Sequence, residues 1–134
     1  MRMLRELCRM SEMRPPLTKG QLRCLLLGVI TQQANCEGIR GIDIASALGV
    51  SRASIRKILA TLTEKGYLIH QKQQMYLLSD TGKDLMERML PLYEKIFYYF
   101  HQIVHLSEFD AREGALALVI TLNEDNLKDL CKHL

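Results

Sequence analysis

Six residues in one short stretch, Ser51, Arg52, Ala53, Ser54, Arg56 and Lys57, are of the types that hold a polyanion. Arg and Lys pair with phosphate oxygens, and Arg can also donate two parallel hydrogen bonds to the major-groove edge of guanine. The short side chains of Ser51, Ala53 and Ser54 let a backbone come close to such a partner. No acidic residue interrupts them. A second set, Lys72, Gln73 and Gln74, has long polar side chains suited to touching a phosphate or entering the minor groove. Catalytic chemistry has no comparable candidates. The chain lacks a Gly-rich phosphate loop, a nucleophile elbow and an H-E-x-x-H pair, and its carboxylates show no pairing that demands acid–base work, so an enzyme is not expected.

Basic residues read a sequence only when a rigid element presents them, and Gly41 to Ala60, GIDIASALGVSRASIRKILA, meets the steric demands of a helix-turn-helix. Ala45 is small enough for two helices to cross closely. Four residues later, Gly49 supplies the left-handed backbone that the turn requires. Ile44, Leu48, Val50, Ile55 and Ile58 are expected where the helices face each other and the core. The paired helices are predicted over Ile42 to Leu48 and Ser51 to Lys65, with Ser51 as N-cap and Gly66 as the C-terminal stop. An ordinary helical hairpin shares the glycine turn but does not account for a basic, acid-free outer face on its second helix.

The flanking sequence predicts a winged fold. Met1 to Arg14 carries Leu4, Leu7 and Cys8 on one helical face before Pro15 and Pro16 stop it. Thr18 and Gln21 form a capping-box start to an amphipathic helix running to about Ala34, followed by a loop from Asn35 to Gly41. Tyr67 to His70 and Met75 to Leu78 read as strands joined by Gln71 to Gln74, a short hairpin wing without a glycine in its turn. Ser79 caps a long helix from Asp80 to about His105, which Pro91 should kink. Its apolar side includes Leu85, Met89, Leu92, Ile96, Phe100 and Val104, with Tyr93, Phe97, Tyr98 and Tyr99 on neighbouring faces. Ser107 and Asn123 begin the last two helices. The expected fold class is mainly α with a small β-hairpin wing: a winged helix-turn-helix over residues 1 to 82 and a helical dimerisation region over 83 to 134, in one compact unit.

At 134 residues and 48% hydrophobic, the chain can bury a sizeable core. Residues 1 to 83 hold 13 Lys and Arg against 6 Asp and Glu, whereas residues 84 to 134 hold 5 against 9. A polyanion is therefore drawn to one side of the molecule and repelled from the other. The longest apolar run, Cys24 to Ile30, is too short to cross a bilayer, and no hydrophobic signal core opens the chain, so a cytoplasmic location is expected. Cys8, Cys24, Cys36 and Cys131 are scattered and read as free thiols.

Two longer stretches, GYLIHQKQQMYLLSDTG from Gly66 to Gly82 and the tail AREGALALVITLNEDNLKDLCKHL, resemble the iron- and manganese-dependent repressors of the diphtheria toxin repressor type. The resemblance runs without obvious gaps from about Thr18 to the end. It implies a homodimer whose winged helix reads a palindromic operator and whose later helices form the dimer interface. It does not imply the metal. The family's early ligand position falls near Gly20 and Arg23, its His and Glu positions on Tyr93 and Phe97, a further His position on Arg112, and its last ligand segment on Leu116 to Ile120. Apolar side chains offer a transition ion no lone pairs. No metal site and no cofactor are therefore expected.

The chain is also similar to the MarR family, which shares the winged helix and often has a helix like LSDTGKDLMERMLPLYEKIF after it. That resemblance implies control by a small ligand or by thiol oxidation, with Cys36 as the candidate sensor and an inert loop thiol as the plainer reading. His101, His105 and Glu108 form one further metal constellation if the long helix reaches His105, although surface histidines at that spacing are more often plain polar positions. The expected function is a homodimeric, DNA-binding transcription regulator, a repressor by preference, acting without a metal switch. The alternatives are a MarR-like regulator and a winged helix used to bind protein.

Overall fold

The computed structural model describes residues 17–32, 38–73 and 75–134. Helix α1 spans Lys19–Gln32 and opens with the predicted capping box: the Thr18 backbone N–H donates to Gln21 Oε1, and the Gln21 N–H donates to Thr18 Oγ1, both at 3.1 Å. The helix is less amphipathic than expected. Cys24, Leu25, Leu26, Leu27, Gly28 and Val29 are all buried, because α1 is packed on several sides at once. The expectations for Met1 to Arg14 and for Cys36 fall outside the described residues.

After α1 come strand β1 (Ile39–Arg40), helices α2 (Gly41–Leu48) and α3 (Arg52–Glu64), and strands β2 (Leu68–His70) and β3 (Met75–Leu78). The predicted two-stranded wing is in fact a three-stranded antiparallel sheet in the order β1-β3-β2. The added strand lies in the segment expected to be loop, where Ile39 pairs with Tyr76 and Arg40 with Met75. Across the other edge of β3, Leu68 faces Leu78, Ile69 faces Leu77 and His70 faces Tyr76. The period-two pattern sends Leu68 and Tyr76 to the core and leaves Ile69 and Leu77 outside.

Helix α4 spans Asp80–Tyr98, with the Gly82 N–H donating to Ser79 Oγ at 3.1 Å. Gly82 is where α4 touches the wing, since a Cβ there would lie 2.3 Å from the Tyr67 carbonyl oxygen. The helix runs through Pro91, which sits on the exposed side where water can bond the carbonyl it leaves free. Its regular geometry ends earlier than expected, at Tyr98 rather than about His105. A π-helical turn over Tyr99–Ile103 follows, closed by the Val104 N–H donating to the Tyr99 carbonyl at 2.9 Å, and His105 then takes a left-handed φ of 66°. Val104, expected on the apolar side, is exposed as a result.

Ser107 caps α5 (Glu108–Thr121) and Asn123 caps α6 (Glu124–Lys132). These two helices cover most of α4: Leu85, Met86, Met89, Tyr93 and Ile96 share one core with Ala115, Leu116, Val119, Leu127 and Cys131. Arg88 on α4 also donates to Glu124 on α6 at 3.1 Å. That core continues without a break through α1 into Ile44, Ile55, Leu59 and Leu62 of the helix pair. No described helix is long and apolar enough to cross a membrane.

Candidate nucleic-acid interface

Local sterics set the angle between α2 and α3. Gly49 has a left-handed φ of 69°, which allows the Val50 N–H to reach back to the Ala45 carbonyl at 3.1 Å. Ala45 is buried where the helices cross, Ile44 and Ile55 are buried to either side, and Leu48 and Ile58 are partly buried. Val50 departs from the expectation. It is 46% exposed, because the residue after the left-handed turn points away from the crossing.

Ser51 begins α3 as predicted. Its Oγ accepts from the Ser54 N–H at 3.2 Å and lies 2.9 Å from Ser54 Oγ, so the two serines steady each other at the helix start. Arg52, Ala53, Ser54, Arg56 and Lys57 are all exposed on the following turn and a half. No described carboxylate pairs with Arg52, Arg56 or Lys57, in contrast to Arg40, which donates to Asp43 at 3.0 Å. The far end of α3 is tied to α1 by Lys65 Nζ donating to Gln21 Oε1 at 2.7 Å. Three unneutralised cations therefore stand on a helix held at both ends.

At the wing tip, Lys72 and Gln73 are exposed, whereas Gln74 lies outside the described residues. The turn has no glycine, and Gln73 takes a left-handed φ of 54° in its place. The Gln71 N–H donates to the Met75 carbonyl at 2.7 Å, keeping the tip short. Sequence reasoning missed Tyr76. It packs against the His70 ring with centroids 4.9 Å apart and, with Gly41 and Leu59, lines a small hollow beneath Arg52 and Arg56. The alternation in Met75–Leu78 was the available signal, since it turns Tyr76 toward the helix pair.

The positions at which the resemblance places metal ligands hold other chemistry. Arg23 donates to Glu113, Arg112 approaches the same carboxylate at 3.7 Å, and Gly20 is exposed. Tyr93 is buried with its ring 5.9 Å from that of Phe97, and Leu116 and Val119 are core residues. Two guanidinium groups and two aromatic rings do not fit a divalent cation. The His101 and His105 pairing also fails. The α-helix ends before either, and His101 Nδ1 lies 3.0 Å from the Leu106 carbonyl oxygen. Among the described residues no three His, Cys, Asp or Glu side chains converge as a metal site.

This geometry can be set beside known proteins. The family model of the IclR helix-turn-helix domain matches residues 26–71, from the middle of α1 to the end of β2. Among solved structures, the chain is similar to the metal-dependent transcriptional regulator MtsR (TM-score 0.64, 18% identity, covering 81% of this chain and 50% of that one). It is similar to the manganese regulator SloR (TM-score 0.63, 18% identity, 89% and 55%). A third match is IdeR of T. acidophilum (TM-score 0.62, 14% identity, 88% and 54%). The fold is the winged helix-turn-helix of these regulators. The chain spans about half the length of each of them, and at these identities the likeness is one of fold. No curated protein matches the chain.

Proposed function

We propose that this winged helix-turn-helix is a DNA-binding transcription regulator, a repressor acting as a homodimer on a palindromic operator, and that metal does not control it. The observation that carries the reading is the outer face of α3, where Arg52, Arg56 and Lys57 are exposed and unpaired among the described residues. A recognition helix meets the major groove with its first turns, and this one has its cations there. Ser51, Ala53 and Ser54 let the helix start approach the duplex closely. Lys72 and Gln73 extend the same surface to the flanking backbone, and Gln74, outside the described residues, is assigned with them from its place in the sequence.

The dimer is supported by Tyr98, Ile103, Val104 and Leu106, large apolar residues left exposed around the π-turn after α5 and α6 have covered the rest of α4. A two-fold interface on that surface would set two reading heads one helical turn of DNA apart, about 34 Å. Independence from metal is supported by the arginines and rings at the resembled ligand positions.

The test is binding to selected palindromic duplexes across a salt series, with and without manganese, ferrous iron or a chelator. Affinity should fall steeply with salt and ignore the metals. A flat salt response would indicate a protein-binding module, and a metal-induced gain of about tenfold, or about 1.4 kcal/mol, would show a metal site that the described residues do not reveal.

A further inference from the structure

Between α1, α4 and α5 lies an open cavity of about 520 Å³, within the range of small-molecule sites and far larger than a metal ion needs. We propose that it is an effector site for an organic cation with an aromatic or broadly apolar body. Ile30 and Leu90 make its apolar floor, and Tyr93, Phe97 and Phe109 present rings to it. The Tyr93 and Phe97 rings lie at 28° to each other. Aromatic faces are negative and attract cations. Burial pushes the Tyr93 hydroxyl up to about 12, with Arg112 pulling it down and Glu113, Glu108 and Glu94 adding to the rise, so a ligand meets a neutral phenol.

The sign of the ligand's charge follows from the balance of charges on the lining. Arg112 lies over the Phe109 ring, 5.4 Å from its centroid, with the Glu113 carboxylate 3.7 Å away and its own Nε buried without a hydrogen-bond partner among the described residues. It brings one positive charge to the cavity, with its Nε out of a ligand's reach. Glu94 and Glu108 are exposed on the lining and have no ion-pair partner among the described residues. Two spare carboxylates beside three rings favour a cation and disfavour an anion of the same shape.

Occupancy has a route to the reading head. Ile30 belongs to α1, and α1 is seated closely on β1 and α2: a Cβ at Gly28 would lie 2.8 Å from Ile39 Cγ2 and 3.3 Å from Ile44 Cδ1. A ligand that displaces α1 must move what α1 rests on. The cation site stands on the cavity alone, whereas its role as an effector rests on the regulator reading above.

Tetraphenylphosphonium and tetraphenylborate have nearly the same shape and opposite charge, and calorimetric titration of the full chain with each tests the site. Tetraphenylphosphonium should bind, tetraphenylborate should not displace it, and Glu94→Gln with Glu108→Gln should weaken it at least tenfold while leaving thermal unfolding unchanged. Phe97→Leu should weaken it as well. Absence of binding, equal binding by the double variant, or displacement by the borate overturns the site. Saturating tetraphenylphosphonium should also shift affinity for selected duplex at least about fivefold in the parent chain and leave the double variant unmoved. An unchanged affinity overturns the effector role. A chain that binds no DNA with or without the probe overturns the regulator reading and that role with it, while calorimetry still decides the cation site.

Discussion

Removing the three free cations of α3 together, as Arg52→Ala, Arg56→Ala and Lys57→Ala, gives the most discriminating perturbation of the reading surface. All three side chains are exposed and none is paired with a described carboxylate, so each is available to replace a DNA counterion. Each phosphate neutralised contributes about 0.9 to the slope of log affinity against log salt. Three contacts on each of two heads then make the triple variant's slope shallower by about 5. Between 50 and 200 mM salt the parent should lose roughly a thousandfold more affinity than the variant. The assay is fluorescence anisotropy with a labelled palindromic duplex over that range, alongside thermal unfolding, which exposed substitutions should move by no more than about 0.5 kcal/mol. Arg40→Ala is the internal comparison: Arg40 already donates to Asp43, so its slope should change by at most about 2. A change of about half the full value would mean that one head binds at a time. A triple variant whose slope stays within about 1 of the parent's would refute the assignment of this face to phosphate contact.

Other outcomes follow from packing and titration. Gly82→Ala should be poorly tolerated, because the added methyl would meet the Tyr67 carbonyl oxygen at 2.3 Å and backbone must move; thermal unfolding should show a loss of about 1–3 kcal/mol. Leu116→Ala empties a fully buried position at one of the resembled metal positions, and denaturant titration should register about 2–5 kcal/mol of destabilisation with or without manganese. Burial pushes the Cys24 thiol up to about 12 from its ordinary 9.0, so the folded chain keeps a proton that the unfolded chain releases. Stability from this group is intact below pH 9 and falls toward pH 12, by up to about 1.4 kcal/mol per pH unit. Denaturant titrations of Cys24→Ala should show a shallower alkaline decline.

The features legible in the sequence are those fixed within a few residues of themselves. Gly49, the Ser51, Ser79, Ser107 and Asn123 caps, and the Thr18–Gln21 box each depend on one turn of backbone, and each forms as expected. Strand β1 was not legible. Two residues carry no periodicity, and Ile39 and Arg40 become a strand only because Tyr76 and Met75 lie beside them. The early end of α4 was hidden for a related reason: apolar spacing continues to Val104, but the chain must turn back toward α5, and the π-turn absorbs that change. Candidate contact residues on α3 could be named because helical phase alone turns them outward. Tyr76 could not be linked to them without knowing that β3 lies between β1 and β2 and brings Tyr76 to the hollow that Arg52 and Arg56 also line.

One charge relation joins the reader to the rest of the fold. Arg23 on α1 and Arg112 on α5 both approach Glu113, which places two positive charges where the family resemblance expects a divalent ion. A bound ion can leave, and the contact between helices is then lost. Guanidinium groups are covalently part of the chain and stay charged at any physiological pH. The Arg23–Glu113 pair is partly exposed and adds little stability by itself, but it joins α1 to α5 whatever the metal supply. The effector route proposed above also runs through α1. Its central face is filled from Cys24 to Val29, and its last turn borders the open cavity at Ile30. The proposed effector would act on α1 from that cavity, whose lining includes Tyr93, Phe97 and Arg112 of the resembled ligand positions.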